Sequence, residues 1–143
     1  MELYPVDDTQ RLFISPVICD WQTLLDAGIS VVIDLEGGLD LGVPTVPNQM
    51  LYVYFPIFDE DLPDLEKLHG VAGLGARMLH GGEKVLVHCR MGFNRSALVA
   101  GRILIELGLS GPEAVARLRS CRPGALFNEV FARYLEGLPG QVG

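Results

Sequence analysis

The sequence predicts a single α/β domain with a mainly parallel central sheet of four to five strands, flanked by helices on both faces. Three observations predict it. Short apolar runs alternate with longer segments of helical periodicity, the pattern of strand–helix–strand units. The run at 29–35 is largely apolar on consecutive positions and that at 51–57 nearly so, which suits strands covered on both sides. The length of 143 residues with 49% hydrophobic content fits one core and is too short for two.

In chain order, Leu12-Phe13-Ile14 is a short strand closed by Ser15-Pro16. Asp20 is a candidate N-cap for a helix through Trp21, Leu24 and Leu25 that ends at Gly28. Residues 29–35 and 51–57 both read as central strands. Between them 36–49 carries three Gly and two Pro, a loop long enough to reach over a site. From about 63 to 80, Leu65, Leu68, Val71, Ala72, Met78 and Leu79 recur at helical spacing, weakened by Gly70, Gly73 and Gly75 and stopped by Gly81-Gly82. Residues 84–88 are a compact buried strand. The helix over 95–107 is apolar on most faces and therefore central. Ser110 and Glu113 form a capping box, with Pro112 in the first turn, for a helix to about Cys121; Pro123 separates it from another through Phe127, Phe131 and Tyr134. The order is β-α-β-β-α-β-α-α-α. Trp21 and the phenylalanines read as core, except Phe93, which reads as a pocket rim.

Eleven Lys and Arg against eighteen Asp and Glu give a net charge of −7, so general nucleic-acid or membrane binding is not expected and any anion site must be local. No apolar run approaches a membrane span. Residues 1–11 lack the sections of a signal peptide, and three cysteines cannot all pair within one chain; the expectation is a monomer in a reduced cytoplasmic setting. Cys19 and Cys121 read as packed thiols, with resolving partners for Cys89 as the alternative. His69 and His80, eleven residues apart on one helix, are about 16 Å apart, too far for one metal ion.

In α/β sheets ligands enter at the carboxyl ends of strands. There the strand ending at His88 runs through Cys89-Arg90-Met91-Gly92-Phe93-Asn94 into a helix opening with Arg95-Ser96. Such a loop presents unpaired amides and the positive end of a helix dipole, an anion site independent of net charge. Gly92 and Asn94 tolerate the backbone curl this needs. Residues Arg90, Met91, Gly92, Phe93, Asn94 and Arg95 are thus the candidate phosphate-binding loop. A thiol surrounded by N–H dipoles ionises more readily than a free one, which makes Cys89 a candidate nucleophile. Arg95 offers a planar fork for two oxygens of a tetrahedral dianion. Ser96 is placed to hydrogen-bond the sulfur when it leaves. His88 reads as a residue that orients the loop, neither ligand nor base.

His88-Cys89-x5-Arg95-Ser96 resembles the signature of the cysteine-dependent protein tyrosine phosphatase superfamily, in its small dual-specificity branch. Phe55-Pro56-Ile57-Phe58-Asp59 resembles that branch's general-acid segment, and Arg122-Pro123 followed by Asn128 and Phe131 resembles its C-terminal helices. The likeness covers about residues 10–137, which implies a dual-specificity-phosphatase-like domain over 1–137 and a short flexible tail over 138–143. It implies hydrolysis of phosphotyrosine, and of phosphoserine or phosphothreonine, in a protein or peptide. The thiolate would attack phosphorus, Arg would hold the phosphoryl oxygens, and no metal or cofactor would be needed.

A leaving oxygen needs a proton, for which Asp59, Glu60, Asp61 and Asp64 are candidates. Asp59 lies 30 positions before Cys89 and follows a strand directly, and the resemblance favours it, with Asp61 next and Asp64 as a helix start. Gly92-Phe93-Asn94-Arg95 is also similar to the loop of the RNA 5′-triphosphatase branch, against which the net charge argues. A phosphate-recognition module without turnover is the non-enzymatic alternative.

Overall fold

The structure, a computed structural model, describes residues 1–139. Its strands are β1 (Tyr4–Pro5), β2 (Leu12–Ser15), β3 (Val31–Asp34), β4 (Leu51–Tyr54) and β5 (Val85–His88), and they form one sheet in the order β1-β2-β5-β3-β4. The helices are α1 (Trp21–Asp26), α2 (Leu65–His80), α3 (Arg95–Glu106), α4 (Gly111–Cys121) and α5 (Glu129–Glu136). All pairings are parallel except that of β1 with β2. The α/β class and all nine expected elements are present. The tenth, β1, is two residues long and ends in a proline, too short for any periodicity to betray it.

Alternation along the buried strands sends side chains to two unequal layers. Ile14, Ile33 and Val87 point into the main core, shared with Leu68 and Ala72 of α2, most of α3, Leu118 of α4 and Phe131 and Leu135 of α5. Phe13, Val32 and Leu86 point the other way, against Leu24 of α1 with Ile18 and Trp21. Helix α3 is central, as its apolar faces predict: every residue from Ser96 to Ile105 is buried. Gly75 lets α2 approach it, since a Cβ there would stand 2.6 Å from Ile103 Cδ1.

Three expectations need correction. β4 is an edge strand, not a central one: Leu51 and Tyr54 are exposed and Tyr52 is half-buried, because the two tyrosines carry polar tips that a strand covered on both faces would have to satisfy. Phe127 and Phe58 are exposed, 69% and 81%, rather than core. Phe127 precedes Asn128, the N-cap of α5, and so lies outside the helix it was expected to join. Cys19 is exposed, in the turn before α1, and Cys121 is half-buried.

The caps at Asp20, Asp64 and Ser110 form as the sequence predicts, the last as a full capping box with Glu113. Leu138 packs on the core, and its carbonyl accepts from Gly111 N–H at 2.9 Å, so packing continues past 137. Residues 140–143 of the expected tail lie outside the described residues. Among the described residues no helix is long and apolar enough to cross a membrane.

Two glycine substitutions test this packing in opposite directions. A Cβ on Gly111 would fall 1.8 Å from the Leu135 carbonyl oxygen, whereas one on Gly73, inside α2, meets nothing within 4 Å. In urea denaturation Gly111→Ala should lose roughly 2 kcal/mol to overpacking. Gly73→Ala should gain about 0.5–1 kcal/mol from helix propensity. A neutral Gly111→Ala would contradict the α4–α5 contact.

Candidate active site

The parallel register aligns Ser15, His88, Asp34 and Tyr54 along the carboxyl edge of the sheet. From this edge the chain leaves β5 at Cys89 and enters α3 at Arg95, and the intervening backbone is fastened from outside. Arg90 O accepts from Val17 N–H at 3.2 Å, Phe93 O from Leu126 N–H at 2.9 Å, and Asn94 O from Leu98 N–H at 2.8 Å. Met91 O and Gly92 O accept from the Arg122 guanidinium at 3.1 and 3.3 Å. In a trans peptide the N–H points opposite to the C=O. Five outward carbonyls therefore turn the amides of residues 91–95 inward, toward the N-terminus of α3. Gly92 sits at φ +74°, and a Cβ there would stand 2.9 Å from Pro16 N, so only glycine fits.

Cys89 lies at the base of this cradle, 2% exposed. Its Sγ accepts from Gly92 N–H at 3.3 Å and lies 3.4 Å from Ser96 Oγ. Arg95 is steadied by a hydrogen bond to the Ile57 carbonyl at 3.4 Å. A pocket of about 180 Å³ opens above, lined by Asp59, Cys89, Met91, Phe93, Asn94, Arg95 and Phe127. Of the four candidate acids only Asp59 reaches it. Glu60, Asp61 and Asp64 line a neighbouring cleft with Phe55 and Phe58, and Asp64 caps α2, where the Lys67 amide and side chain hold its carboxyl below the usual range. Asp59 itself is gripped at both oxygens, by Asn94 Nδ2 at 2.9 Å and Asn128 Nδ2 at 2.8 Å. The Arg90 side chain points away to Glu36, 3.9 Å distant, so only its backbone belongs to the cradle.

Several contacts here escape a sequence reading. Arg122, besides its two loop carbonyls, donates to Tyr4 Oη at 3.1 Å and lies between the Tyr4 and Phe93 rings, 4.4 and 4.0 Å from their centroids. Phe93 lines the pocket and packs on Phe127, the second aromatic wall. His88 does orient a loop, but the long one over 36–49: Nε2 donates to Asp40 Oδ2 at 2.7 Å and lies 3.5 Å from Asp34 Oδ1. Tyr52 Oη donates to Asp34, and burial together with that bond pushes its phenol up. Asp34, Asp40 and His88 are the one grouping among the described residues whose ligand atoms, within 4.8 Å of one another, have the spacing for a metal ion. Hydrogen bonds already engage those atoms, His88 with Asp40 and Asp34 with Tyr52 and the Glu36 amide. His69 and His80 are exposed, with His69 Nε2 3.2 Å from Tyr134 Oη.

A cradle of inward amides over a thiol, with a guanidinium and a carboxyl at the rim, has the shape and charge to take a tetrahedral oxyanion. Comparison with known proteins places the chain in a family. The family model described as "Tc-R-P: Polymorphic toxin system, DSP-PTPase phosphatase" matches residues 10–109. Human DUSP28 is similar at 25% identity over 94% of this chain and 95% of its own, with a TM-score of 0.79. Tk-PTP in its active form is similar at 26% identity over 94% and 95%, with a TM-score of 0.72. Kinase associated phosphatase, at 23% identity over 93% and 89%, shares the fold with a TM-score of 0.74. No curated protein matches the chain.

The outward tethers give a direct test. Arg122→Lys cannot reproduce a fork that reaches two carbonyls and a phenol at once. Its affinity for orthovanadate by calorimetry should fall about tenfold while the far-ultraviolet dichroism is unchanged. Unaltered affinity would show that the loop holds its shape without Arg122.

Proposed function

The chain belongs to the DSP-PTPase family of phosphatases described for polymorphic toxin systems, and from that premise we propose that it hydrolyses phosphoric monoesters on protein tyrosine, and on serine and threonine, through a phosphocysteine intermediate. The observation that carries this reading is the convergence of Cys89, Arg95 and Asp59 on one pocket above an inward-turned amide cradle. Cys89 Sγ attacks phosphorus, an S–P bond forms, and the P–O bond to the substrate oxygen breaks. Asp59 gives that oxygen its proton. Arg95 and the loop amides hold the three equatorial oxygens as charge spreads over them. Water then attacks phosphorus, Asp59 takes its proton, the S–P bond breaks, and the thiolate returns with a hydrogen bond from Ser96. Inorganic phosphate leaves, and no step in this sequence calls for a metal or cofactor.

The walls support this substrate class. Met91, Phe93 and Phe127 make an apolar collar suited to an aryl ring. Glu60 and Asp61 line the neighbouring cleft, and Arg90, the one cation of the cradle segment outside the pocket lining, faces Glu36, which favours a peptide over a polyanionic RNA.

With EDTA present the protein should hydrolyse 4-nitrophenyl phosphate, and Cys89→Ser should cut that rate at least about a thousandfold. Arg95→Lys should cost roughly a hundredfold or more, since a point charge cannot replace the fork. Turnover should rank phosphotyrosine peptide above phosphothreonine peptide and both above triphosphorylated RNA. An active Cys89→Ser variant would refute the nucleophile, and preference for RNA would refute the substrate class.

A further inference from the structure

Asn94 occupies the N-cap position of α3 and does not cap it. A carboxamide there ordinarily accepts from the first-turn amides and would use up the N–H groups an oxyanion needs. Asn128, the N-cap of α5, behaves in the ordinary way, its Oδ1 accepting from Val130 and Phe131 N–H at 3.0 and 3.3 Å. The Asn94 side chain, 2% exposed, turns instead across the loop: its Nδ2 donates to Asp59, and its Oδ1 accepts from Asn128 N–H at 2.9 Å. Asn128 Nδ2 then closes the ring by donating to the other oxygen of Asp59 and to the Glu60 carbonyl at 3.1 Å. Three segments far apart in the chain meet on one carboxyl.

Two donors on two oxygens fix both the place of the carboxyl and the plane in which it lies, on a loop where Asp59 is otherwise exposed. Neither carboxamide nitrogen accepts a hydrogen bond. When Asp59 is protonated, its O–H finds no acceptor in the clamp and must turn toward the pocket, where the leaving oxygen arrives. We infer that Asn94 and Asn128 are positioning residues for proton transfer, a clamp made only of donors that docks Asp59 over the phosphate loop and aims its acidic hydrogen at the leaving group. The inference rests on Asp59 as the general acid. The same geometry separates it from Asp61, whose carboxyl has no hydrogen bond among the described residues.

The test is the split between a good and a poor leaving group, 4-nitrophenyl phosphate and phenyl phosphate, which a merely structural brace would slow equally. Asn128→Asp and Asn128→Ser both keep an oxygen to cap α5 and lose the donor to Asp59; the serine variant adds no charge and stands in if the aspartate variant fails to fold. Each should lower kcat on phenyl phosphate at least about fivefold more than on 4-nitrophenyl phosphate. Combined with Asp59→Asn, each should lower phenyl phosphate turnover no further than Asp59→Asn alone. Equal losses on both substrates, with Asp59→Asn showing the split, overturn the clamp and leave the acid in place. No split in Asp59→Asn overturns the acid reading and the clamp with it.

Discussion

Five consecutive carbonyls, from Arg90 to Asn94, each find a donor outside the loop between β5 and α3. A carbonyl held by a donor fixed elsewhere in the fold sets the direction of its peptide plane, so these partners fix which way each plane faces. The donors come from Val17 in the turn after β2, the first turn of α3, the linker after α4, and Arg122. The loop is thus not a free-standing motif. Its curvature follows from how the sheet edge, the central helix and the C-terminal helices are packed, and the inward amides follow from that curvature. Arg122 spans the most distance, since it joins the loop to Tyr4 near the other end of the chain while its guanidinium lies between two rings.

The second support is a polar network behind the cradle. Asp34 and His88 are fully buried neighbours in the parallel register, and a buried carboxylate is tolerable only when its oxygens are occupied. Tyr52 and the Glu36 amide meet that need, and the adjacent His88 donates from Nε2 to Asp40. His88 Nδ1 is buried with no partner, which an imidazole bearing its proton on Nε2 tolerates better than an orphaned N–H. The network ties the glycine- and proline-rich segment over 36–49 to the sheet edge. That segment also receives the Trp21 indole N–H at the Leu41 carbonyl, 2.8 Å away.

What was legible in the sequence was local. Consecutive apolar runs marked the buried strands, and caps marked the helix starts. The spacing of Cys89 and Arg95 between a strand and a helix marked the loop. What escaped depends on contacts between distant residues: Arg122 with Tyr4, Asn128 with Asp59, Asp40 with His88. No periodicity encodes such pairs. β4 reads as central because residues 51–57 are nearly apolar on consecutive positions, whereas Tyr52 and Tyr54 spend their hydroxyls on Asp34 and the Gly38 amide at an edge. Phe127 was misread as core because its one-residue offset from the cap at Asn128 places it on the pocket wall instead of the helix face.

The most direct measurement of the whole account is acid quenching during turnover of a phosphotyrosine peptide, followed by mass spectrometry of the peptide containing residue 89, for the wild type and for Ser96→Ala. A phosphoryl group carried on Cys89, accumulating further when the Ser96 hydroxyl no longer assists the departing sulfur, is the predicted result. Steady turnover with no phosphoryl group on Cys89 in either protein, or with one on another residue, would contradict it.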